Sequence, residues 1–129
     1  MAADTTKTVQ TPASSTGFNA AGQTDWEVLE RLVTTIRSRK GADPSSSYVA
    51  KLLGKGRLKM AQKVGEEAVE VAIAAVAQDK AALVDESADL LFHLMVLWAD
   101  AGLDPADVMA TLARREGRSG IEEKKNRKG

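Results

Sequence analysis

Two stretches of this chain are almost free of polar side chains. Residues 71–77, Val71-Ala72-Ile73-Ala74-Ala75-Val76-Ala77, carry none, and residues 90–99 carry His93 alone. A helix at the surface keeps a polar face, whereas one that is apolar all round must be enclosed on every side. With 129 residues, the chain has the length of one domain and too few layers to enclose both stretches by itself. The expectation is therefore a homodimer in which these segments share a helical bundle. Helices lying on a membrane surface are the other option, but the stretches are short and lack suitable basic flanks. No apolar run approaches the roughly 18 residues of a membrane span.

The rest of the sequence punctuates helices. Thr24 and Glu27 have capping-box spacing ahead of Trp26, Leu29, Leu32, Val33 and Ile36, which recur at helical intervals. This predicts a first helix over about 25–39. A turn follows around Asp43-Pro44, then a short helix over 48–53, broken at Gly54-Lys55-Gly56. Long helices over about 58–77 and 81–100 come next, with Gly102 as a C-terminal stop. Asp104-Pro105 supplies an N-cap and a first-turn proline for a last helix, which Gly117 ends. Nothing alternates like a strand, so the fold class is all-α, a helical bundle completed by homodimerisation. Residues 1–24 hold two charged side chains, Asp4 and Lys7, among eight Ser/Thr. They are expected to form a disordered extension ahead of a domain at 25–117 and a charged tail at 118–129. The extension has neither the arginines of a mitochondrial presequence nor the apolar core of a secretion signal. The chain has no cysteine, which removes disulfides, thiolate metal sites and cysteine nucleophiles, and is compatible with a cytoplasmic protein.

The 18 acidic and 18 basic side chains cancel, which argues against holding nucleic acid by bulk electrostatics. Their order along the chain is more telling. Residues 44–65 contain Lys51, Lys55, Arg57, Lys59 and Lys63 and no acid; residues 66–100 contain eight acids and Lys80 as the one base. Glu67 and Glu70 lie about 60° apart around one helix, with Glu66 a step away, and Glu86 and Asp89 repeat the spacing on the next. An antiparallel return would set the two pairs face to face. Like charges one turn apart cost a helix about 0.2–0.5 kcal/mol per pair, and more beside an apolar interior. A hard divalent cation such as Mg²⁺, with carboxylate, water and phosphate ligands, offsets that cost. The adjoining bases then suit a polyphosphate substrate, with Lys51, Lys55 and Lys63 the candidate phosphate contacts. Arg115 and Arg118 in the charged C-terminal stretch are further candidates if it folds over the site. A di-iron centre would need two Glu-x-x-His pairs. The chain has one histidine, and Leu90 stands three residues before it. His93 shares the Glu86/Asp89 stripe, but a hydrogen-bonded core histidine is the simpler role.

Several segments resemble a known family. They are Arg39-Lys40-Gly41-Ala42-Asp43-Pro44, Ser46-Ser47-Tyr48-Val49-Ala50-Lys51-Leu52-Leu53, Lys63-Val64-Gly65-Glu66-Glu67-Ala68-Val69-Glu70, Glu86-Ser87-Ala88-Asp89-Leu90-Leu91-Phe92-His93-Leu94 and Arg115-Glu116-Gly117-Arg118-Ser119-Gly120. The acidic pattern is shared across the all-α NTP pyrophosphatases. The Ser-Tyr and Arg-Glu-Gly segments point to the phosphoribosyl-ATP pyrophosphatases of histidine biosynthesis. The resemblance implies a dimeric helical nucleotide-binding hydrolase that converts phosphoribosyl-ATP to phosphoribosyl-AMP and pyrophosphate with Mg²⁺. It places Glu67, Glu70, Glu86 and Asp89 at the metal, with Glu66 and Glu67 the candidates for the catalytic acids. The competing expectations are a related pyrophosphatase acting on dUTP, dCTP or another NTP, and a non-catalytic dimeric helical interaction module.

Overall fold

The structure is a computed structural model that describes residues 25–118 and 120–128. Among them it has helices and no strand: α1 (Glu27–Ser38), α2 (Tyr48–Lys55), α3 (Arg57–Ala77), α4 (Lys80–Ala101), α5 (Pro105–Arg115) and α6 (Gly120–Lys128). The front extension, residues 1–24, lies outside the described residues.

Local chemistry accounts for most boundaries. Asp79 caps α4 by accepting a hydrogen bond from the Ala82 backbone N–H at 2.8 Å, so α3 and α4 are joined by Gln78 and Asp79 alone. A link that short forces an antiparallel hairpin. Gly56 separates α2 from α3 with φ 92°, and Gly102 closes α4 with φ 68°; both angles favour a residue without a Cβ. Asp104 accepts from Ala106 N–H at 2.9 Å, and Pro105 begins α5, as the sequence predicts. At α1 the outcome differs. The N-cap is Trp26, with no side-chain cap, and Thr24 lies outside the described residues. Asp25 instead forms a salt bridge to Arg31 at 2.6 Å. The charged tail also carries a helix, α6, where the sequence suggested only solvated chain. Its run of charged residues, two Glu followed by mostly basic side chains, has no apolar face to signal a helix in advance.

The α3–α4 hairpin is the spine. α1 packs on α4, and α2 wedges against both α3 and α4. The core they enclose is Ile36, Leu52, Met60, Met95 and Val96, with Leu32, Val49, Phe92 and Trp98 packed around it. Arg57 ties the open end of the hairpin together, donating to Asp100 Oδ2 at 2.9 Å and to the Asp100 carbonyl at 3.3 Å. α5 buries no residue. Residues 71–77, which the sequence required to be enclosed, are for the most part uncovered within one chain. Only Ala74 is buried there, and Ile73 and Val76 are 41% and 87% exposed. Gly65 neither interrupts α3 nor admits a neighbour, since a Cβ there would meet nothing within 4 Å.

Candidate metal and phosphate site

The register of the hairpin brings the acids together. Counting outward from Gln78 and Asp79, Glu67 on α3 falls opposite the turn of α4 that holds Glu86 and Asp89. One carboxylate oxygen from each of these three residues lies within 4.8 Å of the others, a grouping able to hold a metal ion. Glu67 and Glu86 are half-buried and Asp89 is exposed, so the cluster opens to solvent on one side. No lysine or arginine among the described residues forms an ion pair with any of the three. Partial burial pushes the Glu86 carboxyl above its ordinary value, and the negative charges of Glu70, Asp89, Glu67 and Asp85 push it further the same way. Among the described residues the cluster thus gathers negative charge without a direct cationic ion-pair partner. Oxygen-only ligands and uncompensated charge fit a hard divalent cation.

Glu70 adds to this field from the next turn of α3 but is not part of the three-residue grouping. Glu66, the next residue before Glu67, is exposed. It accepts from Lys63 Nζ at 3.3 Å and from Gln62 Nε2 at 3.0 Å, and these bonds hold its carboxyl below the ordinary range. The same bond to Glu66 raises the Lys63 ammonium above its usual value, with Glu67 contributing at longer range. Lys63 is therefore the one of the three candidate lysines that the structure ties to the acids. Among the described residues Lys51 and Lys55, exposed on α2, form no ion pair with them. Arg115 ends α5 and Arg118 follows it, both exposed.

His93 is buried, and its Nε2 lies 3.9 Å from Glu67 Oε1. Burial lowers its pKa, partly opposed by the nearby Glu67 carboxylate, so the imidazole is neutral near pH 7. At that length it is a neighbour of the acid rather than its hydrogen-bond partner. Two rings frame it edge-on, Phe92 at 5.2 Å and Tyr48 at 6.1 Å between centroids. The sequence marked Tyr48 only as part of the Ser-Tyr segment that carries the family resemblance, without a role at the site. A lone aromatic at the start of a short helix looks like a core residue, and only its 53% exposure beside the acids sets it apart.

The chain matches the family model described as phosphoribosyl-ATP pyrophosphohydrolase over residues 29–116. The matched span contains every acid of the site, Lys63, His93 and Arg115, and stops before Arg118 and α6. A phosphoribosyl-ATP pyrophosphatase of Azospirillum brasilense is 66% identical over 101 residues, covering 78% of this chain and 91% of the relative. One of Paramagnetospirillum magneticum is 61% identical over 103 residues, covering 80% and 94%. One of Rhodospirillum rubrum is 57% identical over 102 residues, covering 79% and 87%.

Proposed function

This chain belongs to the phosphoribosyl-ATP pyrophosphohydrolase family, and from that premise we propose that it hydrolyses phosphoribosyl-ATP to phosphoribosyl-AMP and pyrophosphate in histidine biosynthesis. The observation that carries the site assignment is the convergence of Glu67, Glu86 and Asp89 from two helices, with no lysine or arginine ion-paired to them among the described residues. These three would hold Mg²⁺, with Glu70 adding negative charge beside them. When bound, the cation promotes ionisation of water and offsets the charge of the departing pyrophosphate.

The chain's own residues do the rest. Lys63, now paired with Glu66 at 3.3 Å, is placed to exchange that partner for a phosphate oxygen. Losing Lys63 lets the Glu66 carboxyl return toward its ordinary pKa. It then becomes a better acceptor for the proton of the water that cleaves the α–β anhydride. Substrate arrival and activation of the base are thereby coupled through one lysine. Lys51, Lys55, Arg115 and Arg118 are the further cations offered to the phosphates.

The active form we propose is a homodimer. Val69, Ile73, Val76 and Val84 are 58%, 41%, 87% and 61% exposed in one chain, more apolar area than a lone helical hairpin leaves to water. A second apolar hollow of about 640 Å³ lies between α1, α4 and the start of α5, lined by Leu29, Val33, Met95, Trp98 and Met109. No helix among the described residues is long and apolar enough to cross a membrane. A multiply charged nucleotide substrate does not cross a membrane unaided, which supports a cytoplasmic setting for the reaction.

The test is pyrophosphate release from a panel of phosphoribosyl-ATP, dUTP, dCTP and ATP, with and without Mg²⁺. Wild type should prefer phosphoribosyl-ATP and require the metal. Glu67→Gln should lose turnover by about a hundredfold or more, with its oligomeric state unchanged. A clear preference for a plain NTP would sink the substrate assignment, and full activity of Glu67→Gln would sink the site.

A further inference from the structure

The acids and Lys63 account for phosphates and metal; nothing described so far holds the base. Tyr48 occupies the place where a base contact is needed. It is the first residue of α2, set there by Ser47, whose hydroxyl caps the helix by accepting from Ala50 N–H at 3.2 Å. One face of its ring stacks on Phe92, with centroids 6.2 Å apart and planes at 16°. Its edge meets His93, whose Nε2 is in turn 3.9 Å from Glu67. The three rings thus pack on one another beside the acid cluster, and Tyr48 among them is 53% exposed. The Tyr48 hydroxyl makes no hydrogen bond among the described residues, so neither burial nor a polar partner accounts for a ring in that position. Lys63 pairs with Glu66 at 3.3 Å, and Tyr48 reaches the neighbouring Glu67 through His93, so the ring, the phosphate-seeking ammonium and the acids border one stretch of α3. The other strongly exposed aromatic among the described residues, Trp26 at 72%, borders the apolar hollow on the far side of α4 instead.

We propose that the uncovered face of Tyr48 stacks on the adenine ring of the substrate, with Phe92 and His93 holding the tyrosine ring at a fixed distance from the acids that act on the phosphates. Every base offers a π-face, and aromatic stacking contributes binding without hydrogen-bond readout. The inference rests on the pyrophosphohydrolase reading, because it needs the phosphates to lie at Lys63 and the acids. It makes Tyr48 a binding residue that sets affinity for the base-bearing end, separate from the acids that set the rate.

The experiment compares wild type with Tyr48→Phe, which keeps the ring, and Tyr48→Leu, which keeps an apolar contact with Phe92 but removes the stack. Thermal melts first establish that both are folded. Steady-state kinetics with phosphoribosyl-ATP at saturating Mg²⁺ should show KM raised about tenfold in Tyr48→Leu. kcat should fall far less, and Tyr48→Phe should lie close to wild type. Inhibition by AMP should weaken in step with KM, whereas inhibition by pyrophosphate, which has no base, should not change. Equilibrium dialysis of AMP gives a reading that does not depend on turnover. Its Kd should rise about tenfold in Tyr48→Leu, and an equal Kd overturns the inference. An unchanged KM with a lowered kcat also overturns it, because Tyr48 would then only prop His93 against Glu67. Failure of the wild type to release pyrophosphate from phosphoribosyl-ATP counts against the enzymatic reading, and AMP dialysis then decides the base contact separately.

Discussion

At the open end of the α3–α4 hairpin, Met60, Met95 and Val96 are 1%, 4% and 1% exposed; toward the turn, Val76 and Val84 are 87% and 61% exposed. The two ends are built from equally apolar sequence. What differs is the cover: among the described residues α1 and α2 pack on the open end, while Val76 and Val84 at the turn end stay exposed. The acids sit at the boundary between them, where Glu67 on one helix meets Glu86 and Asp89 on the other. An apolar helix face therefore states only that a cover exists. Whether the cover comes from the same chain or a second one is decided by how many helices remain to supply it.

The sharpest way to break this comparison is a truncation at each end. Met60→Ala, in the covered core, should lower unfolding free energy by about 2–5 kcal/mol, measured by urea denaturation. Leaving Met60 without effect would mean that α1 and α2 do not form the cover described here. The effect expected next in size is at the other end. Val76→Lys should leave helical content intact by circular dichroism while shifting the sedimentation coefficient from dimer to monomer. A charge there should cost one isolated chain little, since the side chain is already in water. If Val76→Lys sediments like wild type, the second copy does not cover the turn end.

At the boundary the two ends can be separated by metal. Burial and four neighbouring acids raise the Glu86 carboxyl above its usual 4.5. A raised carboxyl pKa means that the ionised form opposes folding. Its protonated form costs nothing at low pH, and the penalty grows as pH rises through the folded value. Glu86→Gln should therefore raise Tm in metal-free buffer at neutral pH, by a margin that shrinks on acidification. Mg²⁺ should raise the wild-type Tm and leave Glu86→Gln nearly unmoved. A lower metal-free Tm for Glu86→Gln would show that the carboxylate is held by partners the charge argument omits.

How much of this was legible depends on the range of the physics involved. The α5 start at Asp104-Pro105 and the α4 stop at Gly102 follow from chemistry within four residues, and the structure places both where the sequence does. The pairing of Glu67 with Glu86 and Asp89 was legible as spacing. Which acids gather was not, because Glu70 and Glu66 differ from Glu67 by less than one turn and only hairpin register and twist separate them. Lys63 and Lys51 read alike as basic positions, yet only Lys63 shares a helix with Glu66. Tyr48 was legible as part of the Ser-Tyr segment but not as a site residue, because exposure is a property of what fails to pack on it, which no local pattern records.

The smallest effect concerns how the cover itself is fastened. α1 contributes Ile36 to the core, near its C-terminal end, whereas the Asp25–Arg31 bridge at 2.6 Å lies at its start. Arg31 holds the Asp25 carboxyl below its ordinary 3.8, so the bridge stabilises the fold above that value, and the contribution is lost as pH falls through the lowered pKa. The pair is exposed, and solvent screens it. Asp25→Asn should accordingly lower Tm only slightly at neutral pH, by an amount that disappears in acid and shrinks at high salt. Because Ile36 lies more than one turn beyond Arg31, fraying of the first turn leaves the open end of the hairpin covered. A large Tm loss in Asp25→Asn would mean that α1 docks as one rigid unit from its first residue. The covered end would then depend on a surface contact as much as on its core.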